Sequence, residues 1–398
     1  MNYKKRLENN IINNYIFIFL SNLNLTHGLW MIYLAMKGMS LAQLGLLEGI
    51  FHITSFLMEV PTGLVADIYG RKTSRIIGRI LAFISIIILL LANNFFMFAF
   101  SFVFIALSYN LESGAGEALI YDSLKEINLE KNYMKISGKQ EFSYQMAQVF
   151  AFIIGGYLAT IDYKYVFIIT LIFIAITIFQ AFSFQEPNIE KDDIKNKKGL
   201  EILKLQIKQS YTAIKDNKKI GFFIIFTQII LTFGTSLFFY MQNYLKNSNH
   251  DEFFIGLIFA ISAIFEAIAS TQTYRLEKRI KEKGILLIMP IISVICIWLI
   301  ALTPYAYVFY ILMMIVESFI YVAMSDYINK LIPSKNRATI LSLSSMVFSF
   351  FMIFIFPLIG KIGDLFSLDV AFIFLAIVGT IFVICNIILL TRINNKTN

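Results

Sequence analysis

Six glutamates lie inside long apolar runs of the sequence, where an ionised carboxylate is costly. They are Glu48, Glu59, Glu112, Glu117, Glu266 and Glu317. An acidic residue at the centre of a membrane-spanning helix opposes insertion by about 2.5–3.5 kcal/mol. Such a carboxylate is expected to bind a proton or a cationic solute, or to be protonated and hydrogen-bonded within its own helix bundle.

Glu112 and Glu317 are the best candidates for a shared site. Each falls in the middle of a predicted helix, and an offset of 205 residues relates them, as it relates Gly155 to Gly360. An internal repeat would place its two copies at matching depths near the centre of a membrane. We therefore expect Glu112 and Glu317 to form a central polar site for a substrate or a proton.

Two further residues are candidates for the same site. Glu117 follows Glu112 on the same predicted helix, and His27 is predicted midway along the first helix. A histidine can titrate near neutral pH, although a lone histidine on an apolar helix often has a structural role instead.

The elements that must position these residues are membrane helices. The chain has 398 residues, of which 58% are hydrophobic and 15% are charged. About 20 consecutive apolar residues are enough for a helix to cross a bilayer. The apolar runs predict an all-α membrane protein with twelve transmembrane helices, at residues 11–36, 41–66, 75–93, 95–124, 137–160, 163–184, 219–245, 253–273, 284–303, 305–331, 337–362 and 368–391.

The basic residues indicate the orientation. With a cytoplasmic amino terminus, all but four of the 34 Lys and Arg residues fall in inner segments, and the exceptions are Lys37, Lys164, Lys246 and Lys361. This positive-inside pattern predicts a multi-pass protein of the cytoplasmic membrane with both termini in the cytoplasm. The net charge of +8 then reflects attraction to anionic membrane lipids, and we expect no nucleic-acid partner.

A polar segment divides the chain into two sets of six helices. We predict an N-terminal unit at residues 1–184, a cytoplasmic linker at 185–218 and a C-terminal unit at 219–398. The linker places Leu200, Leu203, Ile207 and Ile214 on one helical face. This pattern predicts an amphipathic helix on the bilayer surface, with a solvated linker helix as the alternative.

The loop between the second and third predicted helices combines two glycines with three charged residues. Gly63 could let a neighbouring helix approach closely, and Gly70 permits a tight reversal of the chain. The carboxylate of Asp67 could face the positive N-terminal end of another helix. Arg71 and Lys72 are expected to anchor the loop at the inner leaflet.

In this loop the chain resembles the major facilitator superfamily, whose signature is Gly-x-Leu-Ala-Asp-x-x-Gly-Arg-Lys. Gly63, Asp67, Gly70, Arg71 and Lys72 match it, with Ala66 in the alanine position. The resemblance implies two six-helix bundles, alternating access, and a central cavity lined by helices one, four, seven and ten. It also implies that the loop is a cytoplasmic latch, in which Asp67 faces the eleventh helix and Arg71 pairs with Asp122.

Two further signatures of that family are incomplete. The arginine of the fourth helix would fall near Asn110, and the antiporter motif ends in Gly155 and Gly156 but has Ala151-Phe152 in place of Gly-Pro. From the resemblance we expect a secondary transporter, with proton-coupled efflux of amphipathic or drug-like compounds as the first hypothesis. Proton-coupled import of a nutrient or metabolite is the alternative.

A membrane-embedded enzyme and a receptor without transport are hypotheses of another class. The sequence has no clustered nucleophile and base, no metal-ligand spacing and no nucleotide-binding loop of the Gly-x-x-x-x-Gly-Lys type. We expect no enzymatic activity, no metal and no cofactor beyond a proton gradient. The expected partners are a small-molecule substrate and membrane lipids, and the expected state is a monomer.

Overall fold

The computed structural model describes residues 3–188, 215, 217–332 and 337–394. All regular structure within these ranges is helical, which confirms the predicted all-α class. The α-helices are α1 Tyr3–Asn22, α2 Trp30–Met36, α3 Leu41–Tyr69, α4 Arg71–Leu91, α5 Phe95–Glu126, α6 Tyr133–Ile161, α7 Tyr163–Ala181, α8 Lys218–Asn247, α9 Glu252–Leu302, α10 Ala306–Leu331, α11 Arg337–Leu365 and α12 Leu368–Asn394, with a 3₁₀ turn at Glu130–Asn132. The predicted linker helix at Leu200, Leu203, Ile207 and Ile214 lies outside the described residues.

Ten of the described helices are long and apolar enough to cross a membrane. One of them, α9, has 51 residues and would be about 76 Å long if straight, far more than one crossing needs. Its helical geometry is interrupted at Lys281, which has φ 58°. We therefore assign two crossings to α9. With α1 and α2 together as the first crossing, the described helices provide the twelve predicted spans.

The prediction of one continuous first helix is wrong. The helix expected at 11–36 is broken between Asn22 and Trp30. Within the break, the side-chain oxygen of Asn24 accepts hydrogen bonds from the backbone N–H of Thr26 at 3.2 Å and from its hydroxyl at 2.6 Å. Asn side chains that bond nearby backbone in this way compete with helix formation. His27 consequently lies in a turn, not midway along a helix.

Two other predicted boundaries also need correction. The loop expected between residues 273 and 284 is helical except at Lys281, because residues 274–280 contain no glycine or proline to end a helix. The third helix begins at Arg71 instead of residue 75. Arg75 and Arg79 are therefore one and two turns inside α4, although both were counted among the inner-segment charges.

The chain packs as two compact units, Met1–Trp30 with Ile50–Lys208 and Met31–Gly49 with Gln209–Asn398, each considered only as far as its residues are described. In the first unit, α4 packs on α5 and α7, and α1 packs on α6. In the second, α9 packs on α10 and α12, and α8 packs on α10 and α11. The division predicted at residues 184 and 218 remains a prediction.

The second unit includes a short part of the N-terminal sequence. The carboxylate of Asp364, at the end of α11, accepts hydrogen bonds from the backbone N–H groups of Leu41 at 2.8 Å and Ala42 at 2.7 Å. These amides begin α3, so the carboxylate caps a helix end that carries a partial positive charge. Gly45 and Gly49 lie next along α3 and both face Pro357 of α11.

Candidate functional site

Glu112 of α5 is paired with an arginine in the first unit. Its carboxylate accepts hydrogen bonds from Nε of Arg75 at 3.0 and 3.2 Å and from Nη2 at 2.8 Å. The Arg75 side chain is 1% exposed and that of Glu112 is 21% exposed. Gly78 allows α4 and α5 to approach closely, since its Cα faces the carbonyl of Ser108. The charge of Glu112 is therefore compensated within its own unit.

Aromatic rings hold the Arg75 guanidinium in place. Its Cζ lies 4.1 Å from the ring centroid of Phe17 and 4.5 Å from that of Phe184. Such contacts between a cation and a ring face are favourable and strengthen away from water. One turn further along α4, the Nε of Arg79 has no hydrogen-bond partner among the described residues. Both arginines had been counted among the inner-segment charges, although the helix predicted at residues 75–93 already contained them.

Glu317 of α10 has a different environment in the second unit. Its side chain is buried, with 7% of the residue exposed. No described residue donates a hydrogen bond to its Oε2, and no cation forms an ion pair with it within the described ranges. Its carboxylate packs directly on Gly234 of α8.

The surroundings of Glu317 include a second carboxylate. Glu266 of α9 lies within electrostatic range of Glu317, and both act on the buried hydroxyl of Tyr310. Ser262 donates a hydrogen bond of 2.8 Å to Glu266 Oε1, and Ser318 donates one of 3.0 Å to the Glu266 carbonyl. We call Glu266 and Glu317 the carboxylate pair. Glu266 was noted in the sequence only as an intramembrane glutamate, and its nearness to Glu317 depends on how α9 packs on α10.

The other two candidates have less defined surroundings. Glu117 is exposed on α5, and within the described residues it has no hydrogen bond or ion pair. His27 lies in the turn between α1 and α2, stacked on Phe152 of α6 with 6.2 Å between ring centroids. Glu112, Glu117 and His27 belong to the first unit and Glu317 to the second, so their convergence on one site stays a prediction. Among the described residues no group of three or more potential ligands could hold a metal ion.

The loop between α3 and α4 contains one of the interactions implied by the resemblance. Arg71 forms an ion pair with Asp122. Gly70 has φ 97°, a conformation that favours glycine, and it forms the reversal between the two helices. Nothing described lies within 4 Å of a Cβ built on Gly63, and the close helix approach expected there stays a prediction. Asp67 is exposed.

A residue that was not predicted from the sequence, Glu186, completes this loop. The carboxylate of Glu186 accepts hydrogen bonds from the backbone N–H of Arg71 at 2.7 Å and of Lys72 at 2.8 Å. It therefore caps the N-terminus of α4 from the segment that follows α7. The ammonium of Lys72 donates to the carbonyl of Phe182 at 2.6 Å. No spacing rule links Glu186 to Arg71, since they are 115 residues apart.

Comparison with known proteins shows which family has this sequence and architecture. The sequence matches the Major Facilitator Superfamily over residues 11–306 and 224–397. It is 24% identical over 366 residues, 88% of each chain, to the uncharacterized MFS-type transporter YxaM of Bacillus subtilis (strain 168).

Solved structures share the fold. A mutant of the nucleoside transporter NupG has a TM-score of 0.78 at 16% identity, covering 97% of this chain and 99% of its own. A bacterial homolog of the human lysosomal transporter Spinster has a TM-score of 0.70 at 16% identity, covering 92% and 84%. A D-xylose-proton symporter has a TM-score of 0.68 at 12% identity, covering 96% and 97%.

The resemblance stated from the loop is thus confirmed at the level of the family, and an enzyme is excluded. The chain is a multi-pass membrane transporter of small molecules, and it belongs to the Major Facilitator Superfamily.

Proposed function

We propose that this transporter exports amphipathic, drug-like compounds in exchange for protons, and that the carboxylate pair carries the exchange. The observation behind the proposal is the buried Glu317, which has the carboxylate of Glu266 within electrostatic range and no described counter-ion. Two ionised carboxylates in an apolar bundle are unfavourable, both for lost hydration and for mutual repulsion. A proton or a cationic group of a substrate relieves both costs.

The difference between the two halves supports the assignment of proton exchange to Glu317 instead of Glu112. Glu112 has Arg75 as an ion-pair partner at 2.8 Å, so its charge is compensated by a neighbouring side chain. Glu317 has no such partner among the described residues. Glu112, Glu117 and His27 remain proposed contributors to the site, with Glu112 ion-paired to Arg75 and the carboxylate pair exchanging its proton.

Exchange follows if protons and substrate compete for the pair. A cationic compound binds the deprotonated pair, and protonation releases it on the other side of the membrane. An amphipathic cation suits the surroundings of Glu317, where the buried aromatic residues Phe259 and Tyr310 pack with 5.7 Å between ring centroids. This chemistry favours a cation with an apolar body over a sugar or an anion.

The direction of transport is supported by the small residues of α6. Ala147 and Ala151 are buried, and a Cβ on Gly155 would lie 2.6 Å from the carbonyl oxygen of Leu25. The incomplete antiporter motif therefore keeps its close-packed face although Gly-Pro is absent. Import remains the alternative, because the fold is shared with a D-xylose-proton symporter.

The loop of Gly63, Asp67, Gly70, Arg71 and Lys72 is proposed to act with Asp122 as a latch at the cytoplasmic side. The ion pair between Arg71 and Asp122 and the Glu186 cap support this role, because both hold the start of α4 in place.

Flux measurements in everted membrane vesicles test the transport proposal. A pH gradient with the acidic side inside the vesicles should drive accumulation of ethidium, an amphipathic cation. Uridine and xylose serve as neutral comparisons. Glu317→Gln and Glu266→Gln keep the side-chain shape but remove the titrating group, so gradient-driven ethidium flux should be lost. Glu141→Gln, on an exposed face of α6, is the matched control and should behave as the parent chain.

Two outcomes would contradict the proposal. Ethidium accumulation that is unchanged in both carboxylate variants would remove the pair from coupling. Movement of uridine or xylose together with protons, without ethidium flux, would establish import instead.

A further inference from the structure

A cavity of about 310 Å³ opens in the first unit at the ends of α1, α4 and α7. Arg6, Asn9 and Asn13 of α1 line one wall, and Lys72 of α4 lines another. The residues directly after α7, among them Ser183, complete it. These helix ends are on the side that the positive-inside pattern predicts to be cytoplasmic.

The charged groups that line this cavity are both cationic. Arg6 is exposed and forms no ion pair with a described residue. Lys72 donates one hydrogen bond to the Phe182 carbonyl, which leaves two of its three ammonium protons for another acceptor. The carboxylate of Glu186, which accepts from the Lys72 amide, is held by the backbone amides of α4 and does not line the cavity.

The neutral lining residues supply hydrogen-bonding groups of the kind that a phosphate uses. Asn13 Nδ2 donates to Ser183 Oγ at 3.2 Å, and that hydroxyl donates to the Gln180 carbonyl at 2.6 Å. The amide of Asn13 has a second N–H that can reach a further acceptor. Two cations and an amide around one cavity supply the charged and neutral donors that bind a phosphate group.

An exposed apolar surface continues from the cavity along the same helices. Ile12 and Ile16 are 60% and 49% exposed on α1, and Phe179 and Phe182 are 76% and 56% exposed at the end of α7. Helical spacing puts the two isoleucines on the face that carries Asn9, within about 60° of it around the helix axis. About 15 Å separate Arg6 from Ile16 along the helix axis. Cations at one end and apolar side chains deeper in the membrane match a phospholipid.

We propose that this cavity binds the headgroup phosphate of an anionic phospholipid from the cytoplasmic leaflet. Arg6 and Lys72 contact the phosphate, and the acyl chains lie along Ile12, Ile16 and Phe179. Free phosphate shares the headgroup chemistry but would not use the apolar surface. The lipid joins α1 to the first turn of α4 and thereby supports the loop that contains Lys72.

Native mass spectrometry of the purified full-length chain can measure this binding. Phosphatidylglycerol is titrated against phosphatidylcholine, and inorganic phosphate is added as a competitor. Each cation near an anionic membrane surface contributes about fivefold in affinity. Arg6→Gln and Lys72→Gln should therefore each weaken phosphatidylglycerol binding about fivefold. Lys5→Gln, the exposed neighbour that does not line the cavity, should leave it unchanged.

A cavity-filling variant separates a defined site from general attraction to charge. Ser183→Trp keeps both cations but occupies the space, so it should also weaken phosphatidylglycerol binding. Equal losses in Arg6→Gln and Lys5→Gln, or unchanged binding in Ser183→Trp, would overturn the site. Displacement of the lipid by millimolar inorganic phosphate, or no preference over phosphatidylcholine, would overturn its assignment to a lipid. None of these measurements depends on the transported substrate.

Discussion

The carboxylate of Glu317 rests on the Cα of Gly234, so closely that a methyl group added to this glycine would overlap it. Gly234→Ala should therefore displace Glu317 without altering any charge. Overpacking of this kind costs about 1–3 kcal/mol, and we expect loss of proton-coupled flux together with a lower unfolding temperature. Vesicle flux and thermal unfolding of the purified protein measure the two effects.

Gly138→Ala is the control for this substitution. Gly138 is exposed on α6, and nothing described lies within 4 Å of a Cβ built there. The same change should leave flux intact and stabilise the helix by up to about 1 kcal/mol. Parent-like flux and pH dependence in Gly234→Ala would mean that the position of Glu317 is not critical.

Glu112→Gln should be destabilising, in contrast to Glu317→Gln. Removing Glu112 leaves the buried Arg75 guanidinium without its partner, and breaking a buried pair in this way costs about 3 kcal/mol or more. The double variant Glu112→Gln with Arg75→Gln should recover part of that loss, since no unpaired charge is left. Thermal unfolding of the single and double variants decides this. Equal stability of the parent and Glu112→Gln would contradict a structural ion pair.

Glu186→Ala should loosen the start of α4. Loss of a side-chain cap on a helix N-terminus costs about 0.5–2 kcal/mol, and the amides of Arg71 and Lys72 lose their acceptor. Hydrogen exchange should accelerate at these two amides, while Glu130→Ala, in the exposed turn after α5, should leave their exchange slow. Unchanged protection in Glu186→Ala would show that another group caps the helix.

Arg71→Ala and Asp67→Asn test the latch. Each should slow the conformational cycle more than it weakens substrate binding, because the loop is assigned to holding one state rather than to contacting substrate. Turnover and equilibrium ethidium binding are compared in the same preparation, with Lys131→Ala as an exposed control. A folded variant that loses binding affinity in proportion to its turnover would assign the loop to the substrate site.

Cysteine labelling tests the predicted orientation. Asn93 and Lys131 are exposed in consecutive connections on either side of α5. After Cys296 and Cys385 are replaced by serine, Asn93→Cys should react with an impermeant maleimide in intact cells, and Lys131→Cys should react only after permeabilisation. The reverse pattern would contradict the predicted topology. It would also place the cavity lined by Arg6 and Lys72 at the outer leaflet.

The sequence predicted the helical class well because the signal for it is spread over hundreds of residues. Each apolar run long enough to cross a bilayer indicates a span by itself, and no knowledge of tertiary packing is required. Local exceptions were harder to predict. The break at Asn24 depends on side-chain hydrogen bonds, and the helix through 274–280 extends beyond its apolar segment.

The candidate site was less predictable because it depends on contacts between distant residues. The sequence identified Glu112 and Glu317 as equivalent positions of a repeat. It could not indicate that Arg75 lies against the first while Glu266 lies near the second, since helix packing decides both. Glu186 was missed for the same reason.

Gly155 and Gly360 are related by the offset of 205 residues, and each faces a backbone carbonyl, that of Leu25 for the former and that of Leu41 for the latter. A side chain at either position would collide with backbone atoms. Unlike a side chain, the backbone cannot relieve the collision by changing rotamer. Mutational tolerance should therefore be lowest at these two sites, even where neighbouring positions accept many residues. If one ancestral half was duplicated to make this chain, the two glycines are a trait that both descendants retained while most of their other residues diverged.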